Sequence, residues 1–231
     1  MKTLGLIGGI GPESTIEYYR LLIAGYRERS NGSYPQMLIN SVNLQQLLDW
    51  MPVGKLDKVT DYLVGEIEKL VRAGAEFAAL ASNTPHIVFD DIQRRTSIPM
   101  ISIVKATCDQ AQALGLRRVA LFGTRYTMQG DFYPRVFSES GVTLIVPDEE
   151  QQNFIHDKYM TELLKDVFLP ETRTSLLAIA DDLKSKNNIE ALILGGTELP
   201  LILKDKSHNG IQFLDTSRIH VQRLLSEMFS Q

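Results

Sequence analysis

The feature that most constrains the fold is a pair of segments that echo each other 114 residues apart: Ala75 to His86, AEFAALASNTPH, and Ile189 to Pro200, IEALILGGTELP. In each, an uncharged apolar run, Phe77–Ala81 or Ala191–Gly195, gives way to small polar residues and a proline that can open a helix. Such a run without alternation is the pattern of a parallel strand buried on both faces. Ligands of parallel sheets collect beyond the carboxyl ends of the strands, where following helices present free N–H groups. Ser82-Asn83-Thr84 and Gly195-Gly196-Thr197-Glu198 stand at those ends, and two matched ends predict one shared pocket. Helix capping by the same small residues is the plainer alternative for either segment alone.

A second pair of strands repeats the spacing. Leu4–Ile7 runs into Gly8-Gly9-Ile10-Gly11-Pro12, and Val119–Phe122 runs into Gly123-Thr124, at an offset of 115 residues. Two strand pairs separated by about half the chain predict an internal duplication. The expected fold is α/β, with two pseudo-symmetric parallel-sheet domains sharing a cleft: residues 1–97 plus 211–231 in one, 98–210 in the other. At 231 residues with 44% hydrophobic content, the chain can fill two cores.

The first glycine turn does not fit a dinucleotide fingerprint. Ser14 stands where a third glycine belongs, and the next strand, Met37–Val42, ends in Asn43 instead of an acidic residue. Close approach of an anionic ligand to the glycine backbone stays open. Apolar spacing predicts helices over Leu44–Trp50, Lys55–Ala73, Val104–Leu114, Asp157–Phe168 and Thr172–Lys186, and a last helix after Asp215-Thr216-Ser217. Short strands are expected at Met100–Ser102, Thr143–Val146 and Gln212–Leu214.

Charge and cysteine content narrow the partners. The 24 basic and 28 acidic residues nearly balance, with no Lys/Arg block, so a nucleic-acid surface has no electrostatic support. No apolar run approaches the ~18 residues of a membrane span, and the N-terminus lacks a signal-peptide pattern, so a cytoplasmic protein is expected. The single cysteine, Cys108, reads as a packed helical residue and offers neither an intramolecular disulfide nor a thiol cluster for a metal.

Four stretches in order, GLIGGIGPEST, SNTPH, GTRYTM and LGGTELPLIL, resemble the aspartate/glutamate racemase family over essentially the whole chain. The resemblance implies two similar α/β domains with the active site in their cleft, assembly as a homodimer, and inversion of the α-carbon of a small acidic amino acid without cofactor or metal. It also implies two cysteines, one removing the α-proton and the other delivering a proton from the far side. Here those positions hold Ser82 and Gly196. A thiol of pKa ~8.5 is readily tuned to neutrality, a serine hydroxyl needs strong activation, and glycine offers no group at all, so the two-thiol route is closed.

Three readings follow. The protein still moves a proton, with Ser82, Glu198 and His86 as the catalytic candidates and Glu13 behind them; or it is an altered decarboxylase or isomerase using a single proton donor; or it binds a small acid without chemistry. The ligand in each case is a small amino acid or carboxylate. The resemblance places Gly9, Ile10, Gln46, Asn83, Thr84, Thr124, Thr127, Met128, Lys165, Gly196 and Thr197 around it, with Gln45 held more weakly. Capping is the alternative for Thr124, orientation for His86 and Glu198, and a solvent-exposed role for Lys165 and Arg125.

Overall fold

The computed structural model describes residues 1–230. Its chain divides into two units, Met1–Ile103 with the segment from His220 onward, and Val104–Ile219. The first contains β1 (Leu4–Gly8), α1 (Pro12–Arg29), β2 (Met37–Ser41), α2 (Leu44–Trp50), α3 (Leu56–Arg72), β3 (Phe77–Leu80), α4 (Phe89–Arg95) and β4 (Met100–Ile101). The chain passes into the second unit within α5 (Ile103–Ala113).

There it forms β5 (Arg118–Gly123), α6 (Arg125–Gln129), α7 (Phe132–Ser138), β6 (Thr143–Ile145), α8 (Glu149–Thr161), α9 (Pro170–Asn187), β7 (Ala191–Gly195), α10 (Leu199–Ile202), β8 (Ser207–His208) and β9 (Ile211–Asp215). It returns within α11 (Thr216–Met228).

The strand order is the same in both halves. Among the described residues one sheet runs β2-β1-β3-β4, entirely parallel, and the other β6-β5-β7-β9, also parallel, with β8 added antiparallel at its edge. The added strand is joined to β9 by Asn209-Gly210, both at positive φ (46° and 74°), the geometry of a tight hairpin turn. The central strands β1, β3 and β7 are buried along their whole length, as their uninterrupted apolar runs require.

Each unit has its own core. In the first, Leu4 and Leu6 of β1 and Phe77 and Ala79 of β3 pack with Tyr18 and Leu22 of α1 and with Val221, Leu224 and Leu225 of α11. In the second, Phe122, Leu192 and Leu194 pack with Ile155 and Tyr159 of α8 and Leu176 and Ala180 of α9.

Two expectations differ from the structure. The units meet at 103/104 and 219/220, whereas the sequence suggested 97/98 and 210/211, because Met100–Ile101 pairs with β3 and Ile211–Asp215 pairs with β7. The helix expected over Asp157–Phe168 runs instead from Glu149 to Thr161. Its polar opening, EEQQN, shows no apolar period, yet Asp148 and Gln151 form a reciprocal capping box that starts it early. A short 3-10 turn, Leu163–Lys165, and Asp166 at φ 60° then break the helical path before Phe168.

Candidate active site

At the carboxyl end of the first sheet, the glycine turn and the β3 exit lie side by side. Gly9 sits at φ 80°, and a Cβ there would come 2.5 Å from the Val42 carbonyl oxygen, so the turn presses directly on the end of β2. The Gly9 N–H donates to Thr15 Oγ1 (2.8 Å), and Ser14 Oγ donates to the Ala81 carbonyl (2.8 Å), tying the start of α1 to the residue before Ser82. Ile10, Ser82 and Asn83 are buried, while Thr84 is half-buried at the start of the 3-10 turn Thr84–Val88.

His86 lies under this loop as a neutral brace. Its Nε2 accepts from the Ile103 N–H (3.2 Å), so Nδ1 carries the proton; that atom faces the backbone of Ser82 and Asn83 but is buried without a fully formed hydrogen bond. The ring stacks on Phe89 at 4.9 Å. Burial first, and the neighbouring His220 second, push its pKa down to about 3. At neutral pH His86 is uncharged and fully buried, which suits an orienting residue better than an acid or base.

Around the same edge, Glu13 is exposed, and Gln45 is exposed with its amide donating to Asp49. Gln46 instead turns inward: its Oε1 is buried with no protein partner, the state of a group suited to a ligand's donor.

The second sheet brings its expected residues together more tightly. Gly123 and Gly195 are register partners in β5 and β7, so Thr124 and Gly196 follow on adjacent strands. Thr124 caps α6 through the Thr127 N–H, and its Oγ1 lies 3.2 Å from Thr127 Oγ1. Met128 is buried and belongs to the same apolar cluster as Phe122 and Tyr159. Arg125 donates from its backbone to His156 Nδ1 and from Nη2 to Asn153, while its Nε is buried without a partner. Lys165 is exposed on its short turn.

Glu198 and Tyr159 form the most unusual pairing. The Tyr159 hydroxyl donates to Glu198 Oε2, which also accepts from Thr197 Oγ1 (3.0 Å). Burial is the chief cause of two upward shifts: the Glu198 carboxyl lies above its ordinary value and the Tyr159 phenol well above its own. A Cβ on Gly196 would collide with the edge of the Tyr159 ring and lie 2.8 Å from its hydroxyl. The tyrosine therefore fills the space that a side chain at position 196 would need. Sequence reasoning missed Tyr159, because it stands 37 residues before Gly196 in a helix whose amphipathic pattern is weak.

A family model described as Asp/Glu/Hydantoin racemase matches residues 7–224. The chain belongs to that family. Among curated proteins it is 31% identical over 156 residues to the broad specificity amino-acid racemase RacX of Bacillus subtilis, the match covering 64% of this chain and 66% of that protein. Among solved structures it is similar to an aspartate racemase homologue from Pyrococcus horikoshii OT3, with 34% identity, full coverage of both chains and a TM-score of 0.83. The Picrophilus torridus aspartate racemase shares the fold at 17% identity, with a TM-score of 0.78 over 100% of this chain and 96% of that one. The single cysteine of the chain, Cys108, is buried in α5 with Sγ 3.7 Å from the Val136 carbonyl and stands at neither sheet end.

Proposed function

We propose that this racemase-family chain is a cofactor-independent, isomerase-like protein for a small amino acid or carboxylic acid, with acid–base chemistry altered from the two-thiol form. The observation that carries the reading is the family match over residues 7–224 in a chain that has Ser82 and Gly196 at the two cysteine positions. Each strand end carries candidate ligand groups of its own: Gly9, Ile10, Gln46, Asn83 and Thr84 in the first unit, and Thr124, Thr127, Met128, Gly196 and Thr197 in the second. Lys165 is the surface cation that reaches a carboxylate. Support comes from the unpartnered Gln46 Oε1 and from the cluster of hydroxyls at the ends of β5 and β7.

The same reading includes a homodimer and a cytoplasmic setting. The family resemblance supports the first; for the second, no helix among the described residues is long and apolar enough to cross a membrane.

Incubation in deuterated water with a panel of amino acids and dicarboxylic acids tests the proposal. Deuterium at the α-carbon of a panel member is the expected result. Release of carbon dioxide would replace it with a decarboxylase, and thermal stabilisation by a panel member without either reaction would replace it with a binding protein.

A further inference from the structure

We propose that the Tyr159 hydroxyl is the acid–base group at the β7 end, taking the place of the side chain that Gly196 lacks, with Glu198 as the carboxylate that relays its proton. The assignment rests on the isomerase-like reading above and adds to it the group that does the chemistry.

Three observations place it there. The hydroxyl stands 2.8 Å from the position a Cβ on Gly196 would occupy, and the ring edge fills the rest of that volume, so beyond the adjoining residues of the chain Tyr159 is the side chain nearest to that position. Its proton points at Glu198 Oε2, and Thr197 Oγ1 donates to the same oxygen, which fixes the carboxylate as the acceptor of the pair. The cluster is buried at the carboxyl end of a central parallel strand, where ligands of such sheets bind. Burying a carboxylate against a phenol is costly unless the pair is satisfied or used, and a proton shared between two groups in low dielectric is a ready relay.

The step balances without any further reactant. As the α C–H bond breaks, the Tyr159 oxygen takes that proton and releases its own to Glu198, leaving the electron pair on the α-carbon as an enolate of the substrate carboxylate. In return, Tyr159 gives a proton to that carbon and recovers one from Glu198. Exchange of the Glu198 proton with water introduces the label. Because a single group removes and returns the proton, it works on one face of the carbon, so deuterium enters with retention of configuration, and this step narrows the isomerase-like reading to α-proton exchange without net inversion.

The test follows label and chirality together for wild type, Tyr159→Phe and Glu198→Gln, with ligand-induced thermal stabilisation measured on each. The inference expects wild type to exchange the α-proton of a panel acid with retention. Tyr159→Phe should keep the fold and the stabilisation but lose at least about 100-fold in exchange through kcat and not KM, the usual scale for a lost general acid–base group. Glu198→Gln should lose exchange in the same way.

As a rescue, Tyr159→Ala with Gly196→Cys puts a thiol into the emptied space and should exchange faster than Tyr159→Ala alone. Tyr159→Phe exchanging at the wild-type rate would overturn the assignment and leave the isomerase-like reading standing. Exchange with complete inversion would likewise overturn the single-group step. A wild type that exchanges with no panel member would overturn both.

Discussion

The Tyr18 hydroxyl and the His220 ring are locked together at 2.8 Å: the hydroxyl donates to Nδ1, because Nε2 donates in the other direction to the Ile101 carbonyl at 2.9 Å. A single buried imidazole thus bridges α1 and β4 in its neutral form. Its burial holds the pKa down to about 4, against an ordinary value of 6.5, and His86 close by lies lower still at about 3.

Both folded values are depressed, so below pH 6.5 the unfolded chain binds more protons than the folded one. Stability present above 6.5 is lost as pH falls through the window down to about 4 and then 3. Each histidine that must charge costs about 1.4 kcal/mol per pH unit in that window. Urea unfolding at stepped pH should show this acid limb, and His220→Gln should flatten it while lowering stability at neutral pH.

Gly9→Ala should be strongly destabilising. The residue sits at φ 80° and the added methyl would meet the Val42 carbonyl oxygen at 2.5 Å and the Val42 nitrogen at 2.8 Å, all backbone that cannot step aside cheaply. A loss on the order of 2 to 3 kcal/mol is expected. Gly32→Ala is the control: its φ is also positive, at 91°, but nothing lies within 4 Å of the new atom, and the difference in melting temperature isolates the steric part.

Ser14→Ala removes the buried bond from Ser14 Oγ to the Ala81 carbonyl, and Thr216→Val removes the equivalent tie from Thr216 Oγ1 to the Leu194 carbonyl, both 2.8 Å. Each leaves a carbonyl at the end of a central strand without that donor, at a cost of about 1 to 2 kcal/mol. Denaturant titration gives the size, and the two losses should add in the double mutant, since the two pairs share no residue.

Gly196→Cys alone should destabilise by about 1 to 3 kcal/mol, the range for overpacking a filled site, because the Tyr159 ring holds the space. Tyr159→Ala should relieve that penalty. A double-mutant cycle by thermal unfolding measures the coupling, and additive losses would mean that the ring moves aside freely.

The two sheets were readable from two pairs of echoing strands, because a strand buried on both faces writes its burial directly as an apolar run. β7 was found with its observed limits, Ala191–Gly195, and β3 to within one residue. The unit boundaries were not, since the pairing partners of Met100–Ile101 and Ile211–Asp215 depend on contacts far along the chain.

The site divides the same way. Glu198 and Thr197 stood in a motif beside a strand end, whereas Tyr159 reaches Gly196 only through the packing of α8 on the sheet. Met128 carried a motif position, and its burial in an apolar cluster with Tyr159 shows only in the packing. The inward Gln46 and the outward Gln45 are neighbours in sequence, and only helix geometry separates their roles.

The two-residue strand β8 has a consequence for the protein's solubility. By pairing with Ile211–Gln212 it covers part of the open rim of β9, the longest strand at that side of its sheet, while in the other unit β4 is itself only two residues long. Both rims thereby offer little unpaired backbone for a foreign strand to extend. Replacing Asn209-Gly210 with two alanines would unhinge this guard, and light scattering at high concentration would then register self-association into fibrous aggregates in a chain whose fold is otherwise kept.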